Sequence, residues 1–536
     1  MSVKRARRIA LALAVLLLPV TAALSAPPRP VFVPGELLVQ FHPQVAAATR
    51  ERVLATHGLA LLKALRADGV VKASIPAGSD PRALASRLRR LGEVAAAEPN
   101  YYRYLDAVPN DPRFGDMYGL DNSGQTGGVA DADIDAPEGW DLAVGSPDVV
   151  VAILDSGMDM AHEDLAANLY TNPGEVLNGV DDDGNGFIDD LHGWDFRDND
   201  NDPTDPSVLC ASHGTHTAGT VGAVGNNGIG VSGVAQNVKL MPLRAFYVSL
   251  LFCTAQDSDL LEAIAYMRVM QVPISNNSWG GGPSSTVMRN AIGATRQLFV
   301  TSSGNVGSNN DAAPSYPASY ALENIVAVAA TNASDALASF SNFGVQSVDL
   351  AAPGQGILST TRGDTYGLLD GTSMASPHVA GAAAVLLGDD PTLTPHEIRA
   401  RLLRGTDPKG LPVATGGRLN LFGSLTLPSS TVVVEVLPQG STAVSPGDTV
   451  SYTAQVQNTS ASARVVTASV RAWTPGGIVV TLQGPFSLNL APGQTSSGTF
   501  SAVIPAAAPA GSYRLIGRVE NPTDAFDEDQ VIYDVN

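Results

Sequence analysis

At 536 residues, 44% of them hydrophobic, the chain is too long for one core and has apolar side chains enough for about two to four domains. Its net charge of -20 is unevenly spread: residues 1–107 hold 15 Lys/Arg against 7 Asp/Glu, while the whole chain holds 32 against 52. A basic leader therefore precedes an acidic body, which repels nucleic acid and anionic membranes and can hold hard cations on clustered carboxylates.

The first 26 residues read as a secretory signal, with Lys4, Arg5, Arg7 and Arg8 ahead of the apolar run 9–18 and the small-residue segment 22–26. That run is too short to anchor the chain in a bilayer, so the expected product is extracellular. Residues 35–41 and 69–75 predict strands, 44–56 and 81–91 predict helices, and 94–104 runs extended. The order gives a small α+β module over about 34–104. From 109 to 427 short apolar strands alternate with helices and Gly-rich turns. The near-continuous apolar runs at 149–154, 238–243, 272–276, 297–301 and 325–329 predict strands buried on both faces of a mostly parallel sheet, hence an α/β core flanked by helices. After residue 427 the composition turns to Val, Thr, Ser and Gly. Strands expected at 431–437, 449–458, 465–473, 477–482, 498–504 and 512–520 make residues 429–536 a β-sandwich. Cys210 and Cys253 are the only cysteines; an even count in an exported chain suggests a disulfide, with a free buried pair as the alternative.

Three sequence words carry chemistry. The run 149–154 delivers Asp155 to the end of a buried strand, where a carboxylate can orient an imidazole, and Ser156-Gly157 allows a sharp turn. In Ser212-His213-Gly214-Thr215-His216 small residues let a helix lie close to the sheet, and His213 is placed as a general base. Two His three apart also suit a metal, but no Glu stands between them as zinc-protease chemistry requires. In Gly371-Thr-Ser-Met-Ala-Ser-Pro377, Ser373 precedes a small-residue helix with Pro377 in its first turn, so helix-start N–H groups can meet a developing oxyanion. Taken singly, each residue has a bland reading as a cap or a metal ligand; the three together do not.

Asp155-Ser-Gly157, His213-Gly-Thr-His216 and Gly371-Thr-Ser-Met-Ala-Ser-Pro377, in that order, resemble the subtilisin-like serine proteases. The resemblance covers about residues 34–427 and implies a subtilisin-like core (108–427) preceded by a propeptide (27–107) with a ferredoxin-like inhibitor module. It implies Asp155, His213 and Ser373 as the catalytic groups, with Asn305 of Thr301-Ser-Ser-Gly-Asn305 as oxyanion donor. Ser278, Trp279, Gly280, Ser303 and Gly304 would then line the substrate groove, where a peptide adds as a strand. Asp181, Asp183, Asn185 and Asp189 are spaced like positions 1, 3, 5 and 9 of a calcium loop, although His192 stands where such a loop has Glu. The resemblance implies a second calcium site from Asp111, Asp164 and Asn227. Its propeptide assists folding and inhibits by laying its end in the cleft, and the partners expected are protein and peptide substrates of a monomeric enzyme. An α/β-hydrolase esterase would need its Ser in a Gly-x-Ser-x-Gly elbow ahead of acid and base, and Ser373 follows both. A catalytically dead peptide-binding relative would not need all four groups.

Overall fold

The computed structural model describes residues 32–535, apart from 66–68, 77–78, 80, 102–107, 206–209, 211, 250–251, 296, 428–430, 461, 475–478 and 522–525. The expected signal, residues 1–26, lies outside them. No helix among the described residues is long and apolar enough to cross a membrane.

The leader folds as strand Phe32–Phe41, helix Ala47–Thr56, strands Ala60–Ala64 and Val70–Ser74, helix Pro81–Leu88 and strand Val94–Tyr101. Its antiparallel sheet has the order Ala60–Ala64, Val70–Ser74, Phe32–Phe41, Val94–Tyr101. Leu37, Val39 and Phe41 alternate onto one face and meet Val53, Leu54, Leu84 and Leu88 from the two helices. Strand Ala60–Ala64 was not foreseen, because all five of its residues are exposed and it shows no alternation to read.

The body is built on nine strands in the order Asp407–Pro408, Gly417–Arg418, Leu350–Pro353, Ile325–Thr331, Leu298–Ser302, Ile274–Asn277, Gly145–Asp155, Asn237–Arg244, Trp194–Asp195. Every pairing is parallel except that of Asp407–Pro408 with Gly417–Arg418. The central strands are buried throughout, as two-faced cover requires. On one face lies helix Thr372–Asp389, mostly apolar and buried among Val151, Val300, Val328 and Leu350; the other face carries Asp257–Val269 and Thr286–Gly293.

The tail forms a three-stranded sheet of Val432–Gln439, Thr449–Asn458 and Thr495–Val503. Its second sheet has five strands: Ala443–Val444, Phe526–Val535, Gly511–Glu520, Arg464–Trp473 and Val479–Leu490. Val436, Val450 and Tyr452 of the first meet Val470, Leu515 and Tyr533 of the second. Strand Phe526–Val535 was not foreseen, since its first half, Phe-Asp-Glu-Asp-Gln, is acidic and has little of the usual strand composition. The tail docks on the body through Glu323, which accepts from Arg471 and Arg518.

Candidate active site

Strand Gly145–Asp155 ends on Asp155, whose carboxylate is almost fully buried. Its Oδ1 receives the Ser156 backbone N–H at 2.8 Å and His213 Nδ1–H at 2.7 Å, and its Oδ2 receives the Thr217 hydroxyl at 3.3 Å. His213 opens helix His213–Gly222, so Thr217, one turn on, shares its face. The helix comes this close because residue 214 is glycine: a Cβ there would stand 2.0 Å from the Gly157 carbonyl oxygen and 3.1 Å from Asp155 Cβ. The imidazole remains partly exposed, with 28% of the side chain open. Burial pulls its pKa down, but the charge and hydrogen bond of Asp155, with Asp205 behind, outweigh that and raise it.

Helix His213–Gly222 packs along helix Thr372–Asp389, in which Ser373 is the second residue and 9% exposed. The Ser373 hydroxyl donates to the Ser278 carbonyl at 3.1 Å. Pro377 lies inside the helix, not in its first turn as the sequence suggested. A proline has no N–H for the carbonyl four residues back, which is that of Ser373. The Ser278 hydroxyl takes its place, donating to that carbonyl at 2.8 Å, while the Ser376 hydroxyl donates to Asn276 Oδ1. The end of strand Ile274–Asn277 is thus bolted to the start of the central helix.

Asn305 Oδ1 accepts from the Thr372 backbone N–H and from the Thr372 hydroxyl, both at 2.8 Å, which leaves its exposed amide Nδ2 as a donor to the cleft beside Ser373. Behind it, Ser303 donates to the Asn342 carbonyl and Gly304 N–H to the Thr372 hydroxyl. A Cβ on Gly304 would stand 2.5 Å from Asn342 Nδ2, and one on Gly280 would stand 3.1 Å from the Tyr316 carbonyl oxygen. Trp279 packs edge-on against Phe299. Thr217, Thr372 and Asn342 were missed by sequence reasoning. Thr217 was readable from its i+4 spacing to His213; Asn342 carried no local signal.

Asp111, Asp164 and Asn227 are brought together. Asp111 accepts the N–H groups of Asn226 and Asn227, and Asp164 accepts Asn227 Nδ2 at 2.7 Å and Val231 N–H at 2.8 Å. Burial pushes Asp111 up and Asp164 up to about 6, and neither pairs with Lys or Arg among the described residues. Two buried carboxylates held together by Asn227 fit a hard cation. In the other loop, Asp181 and Asp189 accept backbone N–H groups of Gly184, Asn185 and Gly186 and of Asn178 and Gly179. The carboxylates that converge are Glu175, Asp183 and Asp190, with Asn185 donating to Asp183 and Asp190. Only Asp183 of the expected carboxylates is among them; Glu175 lies ahead of the spaced motif and Asp190 is masked in sequence by Asp189. Cys210 and Cys253 are disulfide-bonded, which ties the segment ahead of His213 to strand Phe252–Thr254.

Among the described residues, ion pairs between the leader and the body lie at the other end of the central helix, Arg82 pairing with Asp389 and Arg89 with Asp390. The expected entry of the leader's end into the cleft falls partly on residues 102–107, outside those described.

Residues 146–424 match the model of the subtilase family, and residues 19–100 match that of the fervidolysin N-terminal prodomain. A thermophilic serine proteinase of Bacillus sp. (strain AK1) is 34% identical over 361 residues, covering 66% of this chain and 78% of its own length. An extracellular protease of Xanthomonas campestris pv. campestris is 36% identical over 60% of this chain and 57% of its own length. Thermitase of Thermoactinomyces vulgaris is 35% identical over 52% of this chain and 85% of its own length.

Proposed function

The chain belongs to the subtilase family of serine proteinases and carries a fervidolysin-like prodomain, and from that premise we propose that it is a secreted endopeptidase, made as a zymogen, with Ser373 as nucleophile. The observation that supports this most is the 2.7 Å bond from His213 to the buried Asp155, at the strand end that faces the start of the Ser373 helix. A carboxylate only accepts, so the shared proton sits on His213 Nδ1 and Nε2 is left as the base. For reaction the Ser373 hydroxyl turns from the Ser278 carbonyl to His213 Nε2, gives up its proton and attacks the peptide carbonyl. The tetrahedral oxyanion is met by Asn305 Nδ2 and the Ser373 N–H at the positive end of the helix. His213 then protonates the leaving amine, and water releases the acyl-enzyme by the reverse route. The substrate strand lies along Ser278, Trp279 and Gly280 on one side and Ser303 and Gly304 on the other.

We assign residues 1–26 to a signal, 27–107 to the propeptide with its ferredoxin-like module, 108–427 to the catalytic domain and 429–536 to a β-sandwich. Self-cleavage would fall between Tyr104 and Asn110, and inhibition of the uncut chain would have to come through residues 102–107. Calcium at Asp111, Asp164 and Asn227, and at Glu175, Asp183 and Asp190, would neutralise buried carboxylates and hold loops, taking no part in the chemistry.

A serine-directed fluorophosphonate on the purified mature protein tests the reading. Labelling of Ser373 is expected, with calcium chelation lowering Tm and slowing labelling only as the fold loosens. A native protein left unlabelled at Ser373, with or without chelator, overturns the assignment of the nucleophile.

A further inference from the structure

Gln297 stands at the head of an otherwise apolar run, immediately before strand Leu298–Ser302. Its side chain is 1% exposed, yet neither Oε1 nor Nε2 has a hydrogen-bond partner among the described residues. A buried amide left unpaired is costly, so its presence in the sheet calls for a reason. The polar groups beside it do not supply one. The Thr295 hydroxyl donates to the Ile292 carbonyl at 2.8 Å, and Asn324 Nδ2 donates to that hydroxyl at 3.2 Å and to the Gln297 main-chain carbonyl at 3.3 Å. Asn324 Oδ1 is also unpaired, but Asn324 does not line the space that Gln297 lines.

That space is a cavity of about 180 Å³. Its other walls are mostly apolar: Met267 of helix Asp257–Val269, Val272, Leu387 of the central helix, Leu393, and Ile398 of helix Pro395–Arg404. Arg268 is the one charged residue among the described walls, and it is exposed. The cavity lies where strands begin, since Pro273 and Gln297 directly precede Ile274–Asn277 and Leu298–Ser302. Asp155 ends its strand and Asn305 follows one, so the cavity and the cleft are at opposite ends of the sheet.

Size, charge and pairing restrict what fits. Apolar cavities of about 150 Å³ take up benzene, so this one admits a body of about seven non-hydrogen atoms. A cation would meet Arg268 and no acid, and an anion would find a single amide donor inside, so the occupant is neutral. A carboxamide presents its C=O and N–H side by side, and a group that pairs with both carries an N–H and a C=O along one edge. Water suits the space poorly, because each held molecule wants about two to four polar partners. We propose that this cavity binds a small neutral lactam or primary carboxamide with an apolar body, whose N–H donates to Gln297 Oε1 and whose C=O accepts from Gln297 Nε2. Nothing in this pairing involves Ser373 or the cleft.

Valerolactam is the probe, and cyclohexanone, the same ring with a methylene in place of the N–H, is its control. Titration of the purified protein, with the methyl groups of Met and Ile labelled for NMR, is expected to show saturable valerolactam binding with Kd of about 1 mM. The Met267 and Ile398 methyl resonances should move with it. Cyclohexanone should bind the parent about tenfold more weakly, because Gln297 Oε1 is then left without a donor. Gln297→Met keeps the length of the side chain and removes both polar atoms. It should weaken valerolactam about tenfold or more, leave cyclohexanone bound at least as well, and raise Tm of the free protein. Equal affinity of the parent for the two rings, or equal affinity of parent and Gln297→Met for valerolactam, overturns the pairing. Met267 and Ile398 methyls that stay unmoved up to about 50 mM valerolactam overturn the site itself.

Discussion

The Asp155 carboxylate accepts from His213, from the Ser156 backbone and from Thr217, so it is fixed in place before any substrate arrives. That fixes one tautomer of His213 and, with His213 as the proposed base, sets the pH at which the base is lost. Burial disfavours the imidazolium, but Asp155 and then Asp205 favour it more strongly, so the ring keeps its proton above the ordinary value of 6.5. Only the neutral ring can take the Ser373 proton, and a raised value moves the loss of the base to higher pH. kcat/KM on a peptide substrate is expected to fall about tenfold per pH unit below a limb lying above 6.5. Asp155→Asn should lower that limb and cut kcat by about 10⁴, since the wrong tautomer is then favoured. A limb below 6.5 in the parent, or one unmoved in the variant, would contradict the assignment. The residues of this site were legible where a role rests on a short contiguous word, as for His213-Gly-Thr-His216 and Gly371-Thr-Ser373. Gly214 shows why such words are short: the space beside Gly157 admits no side chain. Asn342 holds the Asn305 loop by accepting from Val306 and Ser308 N–H groups across more than thirty residues of chain, and no local pattern announces that.

At the scale of elements, the helices that carry His213 and Ser373 each bury a histidine outside the proposed proton relay. His216 Nε2 meets the Ile357 carbonyl at 3.0 Å, and His378 Nδ1 meets the Met374 carbonyl at 2.8 Å with Gly119 close over its Nε2. Burial holds both rings at about 4, against an ordinary 6.5. Between those two pH values the unfolded chain takes up protons that the folded one refuses, so stability is full above about 6.5 and declines as pH falls towards 4. The decline is worth about 3 kcal/mol for each ring at pH 4. His378→Gln is expected to be less stable than the parent at pH 7 and to lose about 3 kcal/mol less on going to pH 4, measured by denaturant unfolding at each pH. An equally steep acid loss in the variant would assign that loss to other groups. The central helix and the parallel strands were legible because continuous apolar runs have no reading other than full burial. The hairpin Ile357–Thr361 with Thr365–Leu369, which accepts from His216 through two of its carbonyls, was not, since Ile-Leu-Ser-Thr-Thr has neither alternation nor a continuous apolar run.

Over the whole molecule, ion pairs join the three parts, in each case with the body supplying the acid. The leader brings Arg82 and Arg89 to Asp389 and Asp390, and the tail brings Arg471 and Arg518 to Glu323. The uneven charge visible in the sequence agrees in sign with the first of these junctions but did not give its place. It did not foretell the second, because the two arginines stand on separate strands of the tail and meet only when those strands pair. Glu323 accepts from Arg518 through both oxygens, at 3.3 and 3.2 Å, and His396 of the body stands 3.7 Å away. Replacing Glu323 leaves two guanidinium groups facing each other beside an imidazole, so the loss exceeds that of a simple surface pair. With 29% of the glutamate side chain exposed, solvent screens part of it, and about 1–3 kcal/mol is the expected cost at the junction. Glu323→Ala should therefore raise the rate at which an added protease cuts the chain near residues 427–431, by about tenfold, while fluorophosphonate labelling of Ser373 stays as fast as in the parent. Arg518→Glu alone should act in the same direction, and joining it to Glu323→Arg should restore part of the protection. An unchanged cutting rate in Glu323→Ala would mean that the apolar contacts of the tail, and not this charge cluster, hold it against the body.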